Sequence, residues 1–170
     1  MPPVLLRSVP IGVLLLLGAI APGSASAVLS LRAPIVVQSS IRGVALGMTP
    51  AEVRTALGAP VASGLSPNPI IGKVRIWRYA GLRIMFDSAR AGRTVLAVTS
   101  TSRDDRTVSG AGVGSREADV RRLVPGARCM ARYGYRSCTV GGGKAGQIVT
   151  DFSISGAGRV TRVTLSRVVD

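Results

Sequence analysis

The stretch Leu46-Gly47-Met48-Thr49-Pro50-Ala51-Glu52-Val53-Arg54 returns about 67 positions later as Val113-Gly114-Ser115-Arg116-Glu117-Ala118-Asp119-Val120-Arg121. The segments downstream also echo one another. Leu82–Asp87 is matched by Ile148–Ser153, and Thr94–Thr99 by Arg159–Thr164. A chain written twice in this way is constrained to place two similar units side by side, because each is too small to bury a core alone. The expected fold class is therefore α+β: two tandem repeats, each a helix followed by an antiparallel β-meander, able to join into one continuous sheet with the helices on one face.

Within the first repeat, residues 41–101, Thr49-Pro50 with Glu52 spells a helix start with a capping box, and Gly58-Ala59-Pro60 ends the helix. Val61–Gly72, rich in Pro, Ser and Gly, reads as a loop. Three strands are expected at Arg75–Tyr79, Leu82–Asp87 and Thr94–Thr101, with Ala80-Gly81 as a tight turn and Ala91-Gly92 within a looser one. Residues 102–110 link the halves. The second repeat, residues 111–170, is expected to hold a helix near Ser115–Val124 with Ser115 as its cap, then strands at Tyr135–Val140, Gln147–Ile154 and Arg159–Arg167. Val28–Ser40 reads as a tail or an added edge strand.

Residues 1–27 have the three parts of a secretory signal: Arg7, the apolar run Ile11–Ile20, and small residues at Ala25-Ser26-Ala27. The run is too short for the ~20 residues that span a bilayer. No cysteine follows the cleavage point, so a lipid-modified start is not expected. The expected location is the cell envelope or the extracellular space. Membrane association would then come only through an uncleaved signal or through surface charge.

The formal charge of +14 falls to +13 when Arg7 leaves with the signal. Arginine supplies nearly all of it, since Lys73 and Lys144 are the sole lysines. This balance favours anionic neighbours, but the arginines are scattered and not bunched, which also suits ordinary solvated strand faces. Cys129 and Cys138 are the two cysteines, and in an exported chain such a pair reads as a disulfide worth about 2–3 kcal/mol. Two thiols without histidine do not complete a metal shell, and no cofactor is expected.

Absence of histidine removes Ser–His and Cys–His nucleophiles. Asp87 and Asp151 occupy nearly equivalent places in the two halves, the arrangement a two-carboxylate site would need. Nearby arginines account for them more simply. Gly141-Gly142-Gly143-Lys144-Ala145-Gly146 lacks the hydroxyl residue and the following helix of a phosphate loop, so it reads as a turn. Trp77, Tyr79, Phe86 and Phe152 read as core. Tyr133 and Tyr135, flanked by Arg132 and Arg136 inside the cysteine clip, have the composition of a contact loop. Too few aromatics line the strands for a single-strand nucleic-acid platform.

The succession Gly47-Met48-Thr49, Val53, Leu57-Gly58-Ala59-Pro60 and Trp77-Arg78-Tyr79 resembles the helix–sheet module of the SmpA/BamE family of envelope lipoproteins. The tandem arrangement in an exported chain is similar to the duplicated fold of the β-lactamase inhibitor protein. The lipid-attachment cysteine is replaced by Val28, and the second half lacks Leu-Gly-x-Pro and Trp-x-Tyr. What the resemblance implies is a module that binds proteins or envelope components. The expectation is thus a non-enzymatic, exported binding or inhibitory module, with contact residues Arg78, Arg83, Met85, Arg162, Tyr133 and Tyr135. The alternative is an arginine-held binder of anionic polymer or lipid surfaces. Amino-terminal sequencing of the exported protein is expected to begin at Val28; a start at Met1 would mean that the signal is retained.

Overall fold

The computed structural model describes residues 35–87, 93–132 and 134–168. The expected signal, the segment 28–34, the Ala91-Gly92 turn and Tyr133 lie outside these residues. Ser40–Ile41 (β1) and Val44–Ala45 (β2) form a small hairpin, followed by helix α1, Pro50–Leu57. Four strands come next: β3 Ala62–Asn68, β4 Gly72–Tyr79, β5 Leu82–Asp87 and β6 Val95–Ser100. After helix α2, Glu117–Leu123, come β7 Arg128–Arg132, β8 Tyr135–Val140, β9 Ile148–Ile154 and β10 Val160–Arg167. Strands β3 to β10 form one antiparallel sheet of eight, in the order β3-β4-β5-β6-β10-β9-β8-β7.

This corrects the expected fold class. Strands take up 50 % of the structure and helices only 12 %, so the protein is mostly β and not an α+β tandem of helix–meander modules. Two misread segments explain much of the difference. Val61–Gly72 is not a loop: Ala62–Asn68 pairs along the whole of β4. It is an edge strand, where Pro67 costs no ladder bond and polar residues can face water. The cysteine clip holds a strand too, since Arg128–Arg132 pairs with Tyr135–Thr139. Residues 35–40 do not add an edge strand to the sheet. Ile35 instead makes a single parallel bridge to Thr107 and is fully buried.

The helices are short and locally specified. Thr49 Oγ1 accepts from the Glu52 backbone amide at 3.3 Å, and the Glu52 carboxylate accepts from the Thr49 amide at 2.7 Å. The bonds that this carboxylate accepts from the Thr49 amide and then from the Thr49 hydroxyl favour its ionised form, so the Glu52 pKa is lowered. Helix α2 is capped at Arg116 and not at Ser115; the Arg116 amide donates to Asp119. Ser115 Oγ instead accepts from the Gly112 amide at 3.1 Å. Residues before each helix run beside a strand through the same pair of bonds. Gly47 and Met48 bracket Val95 at the start of β6, while Gly114 and Ser115 bracket Val160 at the start of β10.

The core lies on one face of the sheet. Trp77, Ile84, Val98 and Leu165 make one row across it, and Leu82, Ser100, Val163, Phe152 and Cys138 the next. Val53 of α1, Val120 of α2, and Ile35, Ile41, Val44 and Ala111 close over them, all essentially without exposure. Trp77 meets Phe86 edge-on at 4.8 Å, and the Arg54 guanidinium sits 4.6 Å from the indole centroid. Both aromatics therefore belong to the core, as their strand positions imply.

Within this apolar layer lies a charged hub. Asp105 is 3 % exposed and receives Arg42 Nε at 2.7 and 2.8 Å, and the Ser100 hydroxyl also donates to it. Arg42 Nη1 reaches the Ala80 carbonyl at 2.9 Å. To aim there, Arg42 adopts φ +52°, a left-handed conformation unusual for a side-chain-bearing residue. The hub ties the β1–β2 hairpin, the β4–β5 turn, β6 and the linker together. Replacing Arg42 with Ala strands a buried carboxylate and is expected to cost about 3 kcal/mol or more in urea unfolding. Replacing Asp105 with Leu together with Arg42 with Met should recover a large part of that loss.

Candidate binding face

Opposite the core, the sheet has a second face that carries no helix among the described residues. Register across all eight strands lines up one transverse row there: Ala62, Arg78, Arg83, Thr99, Thr164, Asp151, Thr139 and Arg128. Side chains alternate along each strand, so Met85 and Arg162 share this face with them. Five of the six expected contact residues, Arg78, Arg83, Met85, Tyr135 and Arg162, thus project from one surface. Arg78, Arg83 and Arg128 are exposed and make no ion pair among the described residues.

At the β8–β9–β10 side the face is a polar network. Tyr135 Oη donates to Asp151 Oδ2 at 2.6 Å and lies 2.7 Å from Ser153 Oγ. Thr139 Oγ1 donates to Asp151 Oδ1 at 2.9 Å, Ser153 Oγ donates to Oδ2 at 3.1 Å, and Arg162 Nε donates to Ser153 at 3.2 Å. The Tyr135 pKa is raised, first by burial of the phenol and then by its bond to the Asp151 carboxylate. Thr139 and Ser153 were not among the expected contact residues. Polar alternation in β9 (Asp151, Ser153) against buried Thr150 and Phe152 is the signal that marks their face.

As chemistry, the network gathers donors on one carboxylate: the hydroxyls of Tyr135, Thr139 and Ser153 all reach Asp151 and fix its orientation on this face. Asp87 lies on the same face, but three strand spacings of about 4.8 Å and four residues of about 3.3 Å separate it from Asp151. That exceeds the ~9.5 Å of the widest two-carboxylate mechanisms. Residues 141–146 connect β8 to β9 as a turn, and no helix follows.

Between the β3–β4 turn and the end of β10 the face hollows into a cleft of about 780 Å³. Ile70, Ile71, Met85, Leu96 and Ala97 give it mostly apolar walls, with Arg83 and Asp87 also in the lining.

Cys129 and Cys138 form a disulfide between directly paired residues of β7 and β8, on the core side. Beside it, Glu117 of α2 receives Arg121 at 2.6 Å and meets Arg136 Nε at 2.6 Å. The Glu117 carboxylate and the two sulfurs lie within 4.8 Å of one another. With both sulfurs in the bridge, only an arginine-paired carboxylate remains to offer a metal. A bridge of this kind is typical of chains matured outside the reducing cytosol. Among the described residues no helix is long and apolar enough to cross a membrane.

The chain matches no protein-family model and no curated protein. Three solved structures are similar in shape. An extracellular protein containing a SCP domain, from Bacillus anthracis str. Ames, gives a TM-score of 0.46 at 11% identity, covering 71% of this chain and 43% of that one. A DUF4309 family protein from Bacillus subtilis subsp. subtilis str. 168 gives 0.44 at 13%, covering 74% and 82%. A cysteine-rich secretory protein from Staphylococcus aureus subsp. aureus Mu50 gives 0.41 at 11%, covering 71% and 44%. This chain therefore spans less than half the length of the first and third. Likeness at this level assigns neither family nor activity.

The tyrosines report on the network. The pKa values of Tyr79 and Tyr135 are both raised above the ordinary 10, each chiefly by burial. Because the folded values are raised, the associated stability is complete below pH ~10 and is lost as pH climbs through the folded pKa. Ultraviolet titration is expected to show late-ionising phenol, reduced by one group in Tyr135→Phe.

Proposed function

We propose that the protein is an exported, non-enzymatic binding module that engages an acidic protein of the envelope or the surrounding medium through its open sheet face. The observation that supports this most directly is the transverse row with Arg78, Arg83 and Arg128 exposed and without acidic partners among the described residues, beside the half-buried Met85 and the exposed Tyr135. Guanidinium groups that are not consumed internally are available to carboxylates on a partner, where a bidentate pair gives both strength and direction. Met and Tyr add apolar area at little entropic cost, as in interface hot spots. The disulfide and the expected signal support export.

The test is charge reversal on this face. Arg83→Glu with Arg162→Glu is expected to weaken recovery of the partner from the native medium or envelope by at least about tenfold. Equal recovery by the variant would reject this surface. Retention on a plain anionic matrix that falls steeply with salt, without any protein partner, would favour the anionic-polymer reading instead.

A further inference from the structure

The cleft on the open face has features that the protein-binding reading leaves unused. Ile70 and Ile71, at its rim, are 68% and 46% exposed, so two β-branched apolar side chains stand in water beside a concavity. Surface of that kind is costly to leave uncovered and marks a binding groove. The floor is Met85, Leu96 and Ala97, with methionine the most adaptable of apolar linings. At about 780 Å³ the cleft falls within the ~300–1,000 Å³ of small-molecule sites.

Two guanidinium groups, Arg83 and Arg167, line the cleft and make it attractive to an anionic head. Arg83 and Asp87 both line it, four residues or roughly 13 Å apart along β5, with Met85 between them. Arg83 is exposed and has no acidic partner among the described residues, whereas Asp87 is engaged in an interaction of its own. An anionic head is attracted at the Arg83 end, and Ile70 and Ile71 offer apolar contact toward the other. We propose that this cleft binds a linear carboxylate amphiphile of the fatty-acid class. The carboxylate sits on the Arg83 guanidinium, and the chain lies over Met85 and Leu96 toward Ile70 and Ile71. This does not rest on the protein-binding reading, although Arg83 and Met85 serve both; the measurement below contains no protein partner, so either can fail alone.

The experiment titrates the mature protein calorimetrically with octanoate, decanoate and dodecanoate below their micelle concentrations, and with decanol. Saturable one-to-one binding is expected, tightening about fourfold per added methylene, or about 16-fold for each two-carbon step. Decanol should bind about tenfold more weakly than decanoate, and Arg83→Gln should erase that difference. Met85→Trp fills the cleft and should abolish decanoate binding while leaving the thermal midpoint in place. The wild-type chain-length series stands by itself if either variant misfolds. Absent saturation, a flat chain-length series, or unchanged affinity in a folded Met85→Trp variant would overturn the proposal. The last two outcomes point to diffuse adsorption on the cationic surface or to a cleft kept for a partner's side chains.

Discussion

Everything in this fold hangs on the pairing of β6 with β10. The two strands meet in antiparallel register from Val163 opposite Ser100 to Ser166 opposite Ala97. Without this seam the sheet would fall into two four-stranded pieces, each with an additional bare edge. On the core side the seam is apolar, with Val98 against Leu165. On the open side it is held by Thr99 and Thr164, whose hydroxyls lie 3.2 Å apart. Ser100 joins the seam to the buried hub, because its hydroxyl donates to Asp105. The central pairing and the Arg42–Asp105 ion pair are thus one connected piece of structure.

Carboxylates are scarce here, and their placement decides what the arginines can do. The sequence has 22 basic and 8 acidic residues. Asp105 is consumed by Arg42, Glu117 by Arg121 and Arg136, and Asp119 by Arg122. Asp151 is occupied by three hydroxyls. Internal structure therefore engages these four of the eight acids, and the surplus cations stand on the surface. One sheet face collects several of them beside an apolar hollow. That combination of unspent charge and unspent hydrophobic surface is what gives the face its capacity to bind.

Sequence reading located much of this and misjudged its balance. The Thr49-Pro50-Glu52 pattern specifies α1 locally, and Leu82–Asp87 alternates cleanly enough to reveal both faces of β5. Such signals lie within a few residues of one another, which is why they can be read. The fold class could not be read that way. Ala62–Asn68 and Arg128–Arg132 have loop-like or charged compositions and become strands only because β4 and β8 present free edges to them. Their conformation is imposed by partners and not by propensity. The Asp105 hub was equally hidden, since Arg42 and Asp105 are 63 positions apart and either alone reads as a solvated surface charge. Five expected contact residues fall on one face because period-two alternation fixes side-chain direction. Their neighbours Asp151, Ser153 and Thr139 emerge only from cross-strand register.

The order of strands has a consequence for how the chain matures. The keystone of the sheet, β10, comes last of the eight along the polypeptide, and its mate β6 lies about 65 residues upstream. Contacts of such long sequence separation form slowly and late. Synthesis of the first half alone leaves β6 exposed along one side, so the sheet cannot zip shut until the final strand arrives. A strand order of this kind postpones closure of the sheet until the last of its eight strands has been made.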